Sequence, residues 1–265
     1  MSTTQERVRP PAVAGTFYPA RPDVLAADVD GYIGAAAVAG LTPKALIAPH
    51  AGYVYSGPIA GSAYATLVAD EVRRVVLLGP AHYVPVEGIA VPSVDAFVTP
   101  LGSVPIDGAA RALVLALPGV RIDDAAHEPE HSLEVQLPFL QRTLRAFTLL
   151  PLLVGRADPG LVSRVLEAVW GGPETLVVVS TDLSHYLTYE DARDRDARTA
   201  SAIVRSDGAA VDDYDACGAT PLRGLLRVAR TRALGVHALD VRNSGDTAGD
   251  RTRVVGYGAF ALEER

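Results

Sequence analysis

Histidines follow three separate apolar runs of the sequence, each where a buried strand would end. The run "ALIAP" leads into His50, "VVLLGPA" leads into His82, and "TLVVVST" leads into Asp182 and His185. Imidazole and carboxylate groups bind metal ions and transfer protons near neutral pH. For each histidine taken alone, the alternative interpretation is an ordinary loop residue without a role in a site. Because ligands sit outside the carboxyl ends of strands in open α/β sheets, repetition at three strand ends favours one shared pocket.

A thiol is the next group that could do chemistry. Cys217, the single cysteine, stands where an irregular stretch gives way to an amphipathic helix. A helix N-terminus stabilises a thiolate through its dipole and free N–H groups, which suits a metal ligand or a nucleophile. The alternative is a small buried apolar residue, which a lone cysteine often is. Both interpretations stay open from the residues alone.

The segment "HEPEH" at 127–131 matches the H-E-x-x-H pattern of zinc proteases, in which two histidines one helical turn apart bind the metal. Pro129 argues against it, because a proline inside a helix costs roughly 3 kcal/mol. The sequence instead predicts a helix that begins near Glu130, with His127 in the preceding loop. His131 would then lie in the first helical turn, either reaching the pocket or facing solvent.

Short β-branched or leucine-rich runs alternate with longer amphipathic segments, which is typical of a sheet covered by helices. Strands are predicted at 45–49, 75–79, 88–92, 148–154, 175–180, 238–242 and 253–262. Helices are predicted around 23–36, 58–70, 107–116, 131–145, 159–170, 188–206 and 217–229. His237 precedes its strand, so it is predicted at the opposite end of the sheet as a structural residue. No repeat or flexible linker is visible, which predicts a single α/β domain over 1–265 with a mixed, mostly parallel sheet.

Composition excludes several partners. The 265 residues carry 24 Lys+Arg against 31 Asp+Glu, a net charge of −7, without the basic stripe that nucleic-acid binding needs. The longest apolar stretch, 147–155, is about half the ~20 residues that span a bilayer. The first residues lack the apolar region of a signal peptide, so a cytoplasmic location is expected, with no membrane partner.

Long blocks of the sequence resemble a known family. They are "RPPAVAGTFYPA", "APHAGYVYSG", "LLGPAHYVP", "PEHSLEVQLPFLQ", "VVVSTDLSHYL", "DACGATPL", "NSGDT" and "VVGYGAFA". In this order they resemble the Memo family, also called AmmeMemoRadiSam system protein B. Members of that family are similar in fold to the class III (LigB-type) extradiol dioxygenases, which use non-haem iron. The resemblance therefore implies an α/β domain of the class III extradiol dioxygenase type, with its site at the strand ends.

The resemblance also implies a ligand set. Carried over by residue, the metal ligands are His50, His82 and Cys217, while Asp182 and His185 match pocket residues. The cofactor implied is iron or copper, with zinc less favoured. Because a soft thiolate replaces the carboxylate of the dioxygenases, metal preference shifts, and dioxygenase chemistry does not follow automatically.

The sequence leaves two main classes of function open. In a redox enzyme, His185 oriented by Asp182 would move a proton, with His131 as a further catalytic candidate. In a non-catalytic metal- or peptide-binding module, the same pocket would hold a small molecule or peptide without turnover. The aromatic residues predicted to bind the ligand are Phe17, Tyr53 and Tyr55. A zinc metalloprotease is a distant third class, and the name of the prokaryotic branch implies association with radical-SAM and AMMECR-type proteins.

Overall fold

Strands and helices alternate along residues 6–37, 40–68 and 71–264, the parts of the chain that the computed structural model describes. The strands are β1 (Val8–Arg9), β2 (Ala45–Ala48), β3 (Arg74–Pro80), β4 (Ile89–Val91), β5 (Ala96–Thr99), β6 (Gly102–Pro105), β7 (Val120–Ile122), β8 (Thr148–Val154), β9 (Thr175–Ser180), β10 (His185–Leu187), β11 (Gly235–Asn243) and β12 (Val254–Glu263). The helices are α1 (Pro22–Gly34), α2 (Tyr53–Tyr64), α3 (Gly108–Leu115), α4 (Asp124–His127), α5 (Leu137–Thr143), α6 (Pro159–Val169), α7 (Tyr189–Val204), α8 (Ala219–Thr231) and α9 (Ser244–Thr247).

The main sheet has the order β10-β12-β2-β9-β3-β8-β4-β7, with β11 paired to β12, and a small second sheet has the order β1-β5-β6. Parallel pairs join β2, β9, β3 and β8 at the centre and β4 to β7 at one side. The α/β class with mixed sheets covered by helices is confirmed. The sheet is less parallel than predicted, because β12 and β4 flank the centre with antiparallel pairs.

Helices cover both faces of the central strands, so these strands are buried on both sides. Ile47 and Val179 belong to a core that α6 and α8 complete. Leu46 and Val178 belong to the opposite core, which α1, α2 and α5 complete. Strands buried on both faces are apolar without interruption, which explains why the sequence pattern located them. Among the described helices, none is long and apolar enough to cross a membrane.

Some predicted boundaries are wrong. Helix α2 begins at Tyr53 rather than at residue 58, and it continues through Pro58 because Tyr53 and Ile59 are buried in the core. Residues 69 and 70 of that predicted helix lie outside the described residues. The predicted helix 131–145 is a 3-10 turn at Glu134–Gln136 followed by α5. The short strands β1, β5, β6, β7 and β10 were not predicted, because each has four residues or fewer, which is too short for a clear periodic pattern.

A buried ion pair fastens the amino-terminal segment to the chain before α5. Glu134 is fully buried and accepts hydrogen bonds from the Arg9 guanidinium, the Tyr18 hydroxyl at 2.5 Å, and the backbone N–H groups of Ala12 at 2.7 Å and Val13 at 3.0 Å. The Arg9 guanidinium also donates to backbone carbonyls in 127–130. The charge of each partner is therefore satisfied only by the other and by fixed dipoles, as burial requires.

The substitution Glu134→Gln is expected to lower the free energy of unfolding by about 3–5 kcal/mol, because it leaves the buried Arg9 charge without a counter-charge. Urea denaturation followed by circular dichroism measures this. The matched control is Asp30→Asn, which removes the exposed ion pair of Asp30 with Arg142 and should leave the curve nearly unchanged. Equal effects of the two substitutions would contradict the prediction.

Candidate metal centre

The carboxyl ends of β2, β9 and β3 bring three parts of the chain together. Ala48 of β2 pairs with Ser180 of β9, and two residues later the backbone N–H of His50 donates to Oδ1 of Asp182 at 2.7 Å. His82 follows β3, which lies on the other side of β9. These ends open into one cavity of about 1160 Å³. Its polar lining includes His50, His82, His131, Asp182, His185 and Cys217. The predicted convergence is found, while the roles of these residues stay predictions.

Three imidazoles form the centre of this cavity. His50, His82 and His131 each offer a ring nitrogen, and these nitrogen atoms all lie within 4.8 Å of one another. The rings of His82 and His131 are stacked with centroids 4.7 Å apart, and the ring of His50 is edge-on to both at 5.2 and 5.5 Å. Neutral imidazole is the commonest metal ligand in proteins. The group is a candidate metal-binding cluster.

Hydrogen bonds fix the tautomer of His50. The Ser180 hydroxyl donates to the carbonyl of Ser132 at 2.6 Å, and its oxygen accepts from Nε2 of Gln136 at 2.8 Å. The same Nε2 donates to the carbonyl of Pro49 at 2.8 Å, which identifies it as the amide nitrogen. Because the Ser180 proton is already used, Nδ1 of His50, 2.9 Å away, must be the donor. The lone pair of His50 therefore lies on Nε2.

A buried carboxylate holds His82. Oε2 of Glu130 accepts the His82 backbone N–H at 2.6 Å, and Oε1 accepts from Nδ1 of the His82 ring at 2.8 Å. Oε1 also accepts the N–H groups of His131 at 3.0 Å and Ser132 at 2.9 Å. Although burial opposes ionisation, the hydrogen bonds from His82 and the backbone lower the pKa of Glu130 to about 2. The ionised carboxylate keeps the His82 proton on Nδ1, so Nε2 is the nitrogen available for binding.

His131 lies in the loop before α5, so its predicted place in a helical turn is wrong. Glu130 binds the backbone of this loop, and the Ser132 hydroxyl donates to the carbonyl of Pro80 at 2.8 Å, which holds the loop against the end of β3. Gly79 permits this approach, because a Cβ there would lie 2.8 Å from the Ser132 hydroxyl. Nδ1 of His131 is buried without a hydrogen bond, although it lies 3.3 Å from Glu130. Burial and the neighbouring His50 lower the pKa of His131 to about 4, so the ring is neutral.

His127 lies apart from the cluster. It ends the short helix α4, rather than lying in a loop as predicted, and its Nε2 is 3.1 Å from the carbonyl of Ala90. Pro129 separates α4 from the loop that carries His131, as the proline argument predicted. The two histidines of the "HEPEH" segment therefore do not share a helix face, and the structure does not support the zinc-protease alternative.

Cys217 lies against His50. Its Sγ is 3.2 Å from Nε2 of His50 and accepts the backbone N–H of Asp182 at 3.3 Å. Burial, followed by the charge of Asp182, raises the pKa of Cys217 to about 12. The protonated thiol therefore donates to the lone pair of His50. The sulfur is outside the group of three nitrogen atoms, so its role as a ligand stays a prediction from the family resemblance.

The predicted pairing of Asp182 with His185 differs in the structure. Among the described residues, no hydrogen bond joins the two side chains; Asp182 binds the backbone of His50 instead. His185 is held by β10, where it pairs with Val255 of β12. Burial raises the pKa of Asp182. Both residues line the cavity, but Asp182 positions the end of β2 rather than the ring of His185.

The aromatic residues divide between cavity and core. Phe17 and Tyr55 line the cavity, with the Phe17 ring 4.7 Å from that of His131. The prediction that Tyr53 binds the ligand is wrong. Tyr53 is 3% exposed, and its hydroxyl donates to the carbonyl of Val135 at 2.6 Å. It belongs to the core, where its ring lies 5.1 Å from that of Phe139. His237 lies outside the cavity, with Nε2 3.0 Å from Glu263.

Several residues of the site were missed from the sequence. Glu130, Ser180 and Gln136 hold the imidazoles without reaching the centre of the cavity themselves. Glu130 is adjacent to His131 in the sequence, which could have indicated a contact between a carboxylate and a histidine. Ser180 ends the "TLVVVS" run at the same strand end as Asp182, which could have placed it near the site. Exposed tyrosines at the mouth of the cavity were also missed. They are Tyr83, Tyr186 and Tyr214.

Known proteins are similar to this chain over nearly its whole length. The family model described as Memo-like protein matches residues 9–261. A MEMO1 family protein of Aquifex aeolicus is 40% identical, covering 95% of this chain and 97% of the relative. MEMO1 family proteins of Aeropyrum pernix and Methanosarcina barkeri are 36% and 34% identical, each covering 97% of this chain and 100% of the relative.

In the metal-free protein, His50 is expected to be the neutral tautomer with its proton on Nδ1, from pH 8 down to pH 5. The reason is that burial, and then the neighbouring His82, lowers the pKa of His50 to about 3. Long-range ¹H–¹⁵N correlation spectra of the histidine rings measure this, with His237 as a reference outside the cavity. In Ser180→Ala the preference for this tautomer should weaken. A proton on Nε2 of His50 in the parent protein would contradict the hydrogen-bond assignment.

Proposed function

The chain belongs to the Memo-like protein family, and on that premise we propose that its cavity binds a transition-metal ion and performs redox chemistry on a small organic molecule. The observation that carries the proposal is the cluster of three imidazoles whose ring nitrogen atoms lie within 4.8 Å of one another. Imidazole ligands suit iron, copper, zinc and nickel. Iron or copper is the proposed cofactor, because redox chemistry needs a metal that changes oxidation state.

The donor set fits a metal ion. His50 and His82 use Nδ1 for hydrogen bonds to Ser180 and Glu130, which leaves Nε2 of each ring as the free lone pair. Metal-binding histidines usually donate their other ring N–H to an oxygen in this way. His131 adds a neutral ring with a buried nitrogen that has no hydrogen bond. Burial lowers the pKa of His50 and of His131, so these two rings are neutral near pH 7 and need not lose a proton when a cation binds.

Cys217 is proposed as an additional ligand beside His50. Two atoms bound to one ion at about 2.0–2.3 Å lie roughly 3–4 Å apart. The 3.2 Å between Sγ of Cys217 and Nε2 of His50 agrees with that spacing. The raised pKa of the thiol means that its proton must leave when the sulfur binds metal. A soft ion compensates that cost best, because thiolate prefers soft metals.

The rest of the cavity is proposed to bind and orient the substrate. A bound redox metal supplies electron transfer at the imidazole cluster. Phe17 and Tyr55 offer apolar surface beside it, and the cavity of about 1160 Å³ has room for an organic ligand. His185 lines the cavity outside the cluster, so its ring is proposed to give or take a substrate proton.

Binding without turnover is the second candidate, and the mouth of the cavity favours it. Tyr55, Tyr83, Tyr186 and Tyr214 are 44, 54, 64 and 82% exposed and all line the cavity. Exposed tyrosines are enriched where proteins bind partners, because the ring is apolar and the hydroxyl is polar. A metal-containing module that binds a peptide at this rim is therefore the alternative. Association with radical-SAM and AMMECR-type proteins stays a prediction.

Metal titrations on reduced protein test the ligand set. His82→Ala and His131→Ala are expected to lose most of the affinity for Fe(II), Cu(I) and Zn(II), because each removes one of three ligands. Cys217→Ser is expected to weaken binding more than His185→Ala does, because serine's hydroxyl is a poor substitute for a thiolate. Isothermal titration calorimetry under anaerobic conditions, with elemental analysis of the purified protein, gives the affinities and the metal.

The control for these titrations is His127→Ala, which removes a histidine outside the cluster. Parent-like affinity in His131→Ala would remove that residue from the ligand set. Parent-like affinity in Cys217→Ser would show that the thiol only donates a hydrogen bond to His50. If no metal binds the parent, the metal proposal is wrong. Oxygen consumption or product formation by the metal-loaded protein decides between the enzyme and the binding module.

Glu130→Gln is expected to weaken metal binding by about 10- to 100-fold, because the amide no longer holds His82 through an ionised acceptor. The amide keeps one accepting oxygen, so either the backbone N–H of His82 or those of His131 and Ser132 lose their acceptor, and a loss of stability is expected beside the lower affinity. Calorimetric titration measures the affinity, and circular dichroism checks the fold. The matched control is Glu128→Gln, two residues away on the same segment. An unchanged affinity in Glu130→Gln would contradict the positioning role.

A further inference from the structure

Arg253 differs from the other charged groups at the mouth of the main cavity, because it has no ion-pair partner. Arg195 also lines the cavity, and its guanidinium lies 3.7 Å from a carboxylate oxygen of Asp215. Asp213 lines the cavity too and accepts from Arg223 at 2.8 Å. Within the described parts of the chain, no carboxylate forms an ion pair with Arg253. Its positive charge is therefore available to a ligand.

The ring of Tyr186 supports the Arg253 side chain. Cζ of the guanidinium lies 5.2 Å from the centroid of that ring. A guanidinium that stacks on an aromatic face keeps the N–H groups at its edge free to bind an oxyanion. The ring of His185 is edge-on to that of Tyr186, with centroids 5.8 Å apart. Only one ring thus separates the free cation from the side chain proposed to give or take a substrate proton.

The backbone of Tyr186 is strained. Its φ of 59° lies in the left-handed region, which is rare for a bulky residue. The pairing of β10 with β12 shifts in register between His185 and Leu187, so Tyr186 lies at an irregularity that re-aims its side chain. The ring is 64% exposed, so burial of the ring in the core does not account for the strain. Strain of this kind is typical of residues that contact ligands.

Strand β12 connects the mouth of the cavity with its inner end. Arg253, Val255 and Tyr257 are spaced two residues apart, and all three line the cavity. Arg253 is exposed, Val255 is half-buried and Tyr257 is buried. At ~3.3 Å per residue, this stretch covers about 13 Å. Burial, followed by the charge of Asp182, raises the pKa of Tyr257, which indicates that the inner end lies near Asp182. The stripe therefore has a cationic outer end and an apolar middle.

We propose that the main cavity binds a monocarboxylic acid, with the carboxylate on Arg253 and the apolar body along Val255 and Tyr257 toward the imidazole cluster. A guanidinium binds a carboxylate through two parallel hydrogen bonds. Asp182 and Asp250 also line the cavity and oppose a ligand that carries two negative charges. The inference rests on the proposed function for the reaction that follows. Binding of the acid itself is testable without metal.

Titration with a series of phenylalkanoic acids, from phenylacetate to 5-phenylpentanoate, and with their primary amides tests the charge preference. Two-dimensional ¹H–¹⁵N spectra of the purified protein, before and after removal of metal by chelation, give the affinities. At least one acid is expected to bind about fivefold or more tightly than its amide. Arg253→Gln should abolish this preference and leave the affinity for the amide unchanged. The matched control is Arg251→Gln, an exposed arginine that stacks on Tyr189, which should keep the preference.

Tyr186→Gly separates a ligand-binding role of the ring from a structural one. Glycine adopts a positive φ without strain, so the urea midpoint of unfolding should not fall. The preference for the acid should nevertheless decrease about twofold or more, because the guanidinium loses the ring that holds it. A lower midpoint together with an unchanged preference would contradict the role given to Tyr186.

Three results overturn the proposal. They are equal affinity of every acid and its amide for the parent, an acid preference that persists in Arg253→Gln, and tighter binding of the dianion 3-phenylpropyl phosphate than of any acid. An equal loss of preference in Arg251→Gln also overturns it, because the effect is then one of general surface charge. If the parent binds no metal, the proposed function is wrong while the comparison of acid with amide stays valid. The two failures are therefore distinguishable.

Discussion

The buried carboxylate of Glu130 is the interaction on which the arrangement of the site depends. A carboxylate removed from water must be satisfied by fixed donors. Here the donors are the ring and backbone of His82 and the N–H groups of His131 and Ser132. One charge therefore orients one imidazole, fixes the backbone of a second, and holds the loop against the end of β3. These contacts place His131 in the lining of the cavity.

The segment from Glu130 to α5 is held from both sides. Toward the cavity, Ser132 and Gln136 bind Ser180, which in turn sets the tautomer of His50. Toward the amino terminus, Glu134 binds Arg9 and three further donors. Each of these groups is buried, so any partner left unpaired costs free energy. Stability of the fold and geometry of the candidate metal centre consequently depend on the same short segment.

Burial sets the protonation states of several groups that line the cavity. Burial disfavours the charged forms of His50, His131 and Cys217 alike, which gives neutral imidazoles and a protonated thiol. Neutral imidazoles are the form that binds metal ions. The ionised Glu130 is kept one ring away, where it orients His82 rather than contacting the centre.

The sequence by itself determined the fold class, the central strands and the convergence of His50, His82, Asp182 and His185, because strands buried on both faces are apolar runs and their carboxyl ends share one edge. The sequence also predicted that His127 and His131 do not share a helix face, because the proline between them disfavours a continuous helix. Only the tertiary structure decided that His131 joins the cluster, that Tyr53 belongs to the core, and that Asp182 binds the backbone of His50. These outcomes depend on contacts between residues far apart in the chain, such as Ser132 with Pro80 and Glu130 with His82. Local propensity does not encode such contacts, because a loop held by buried polar groups adopts the path that satisfies those groups.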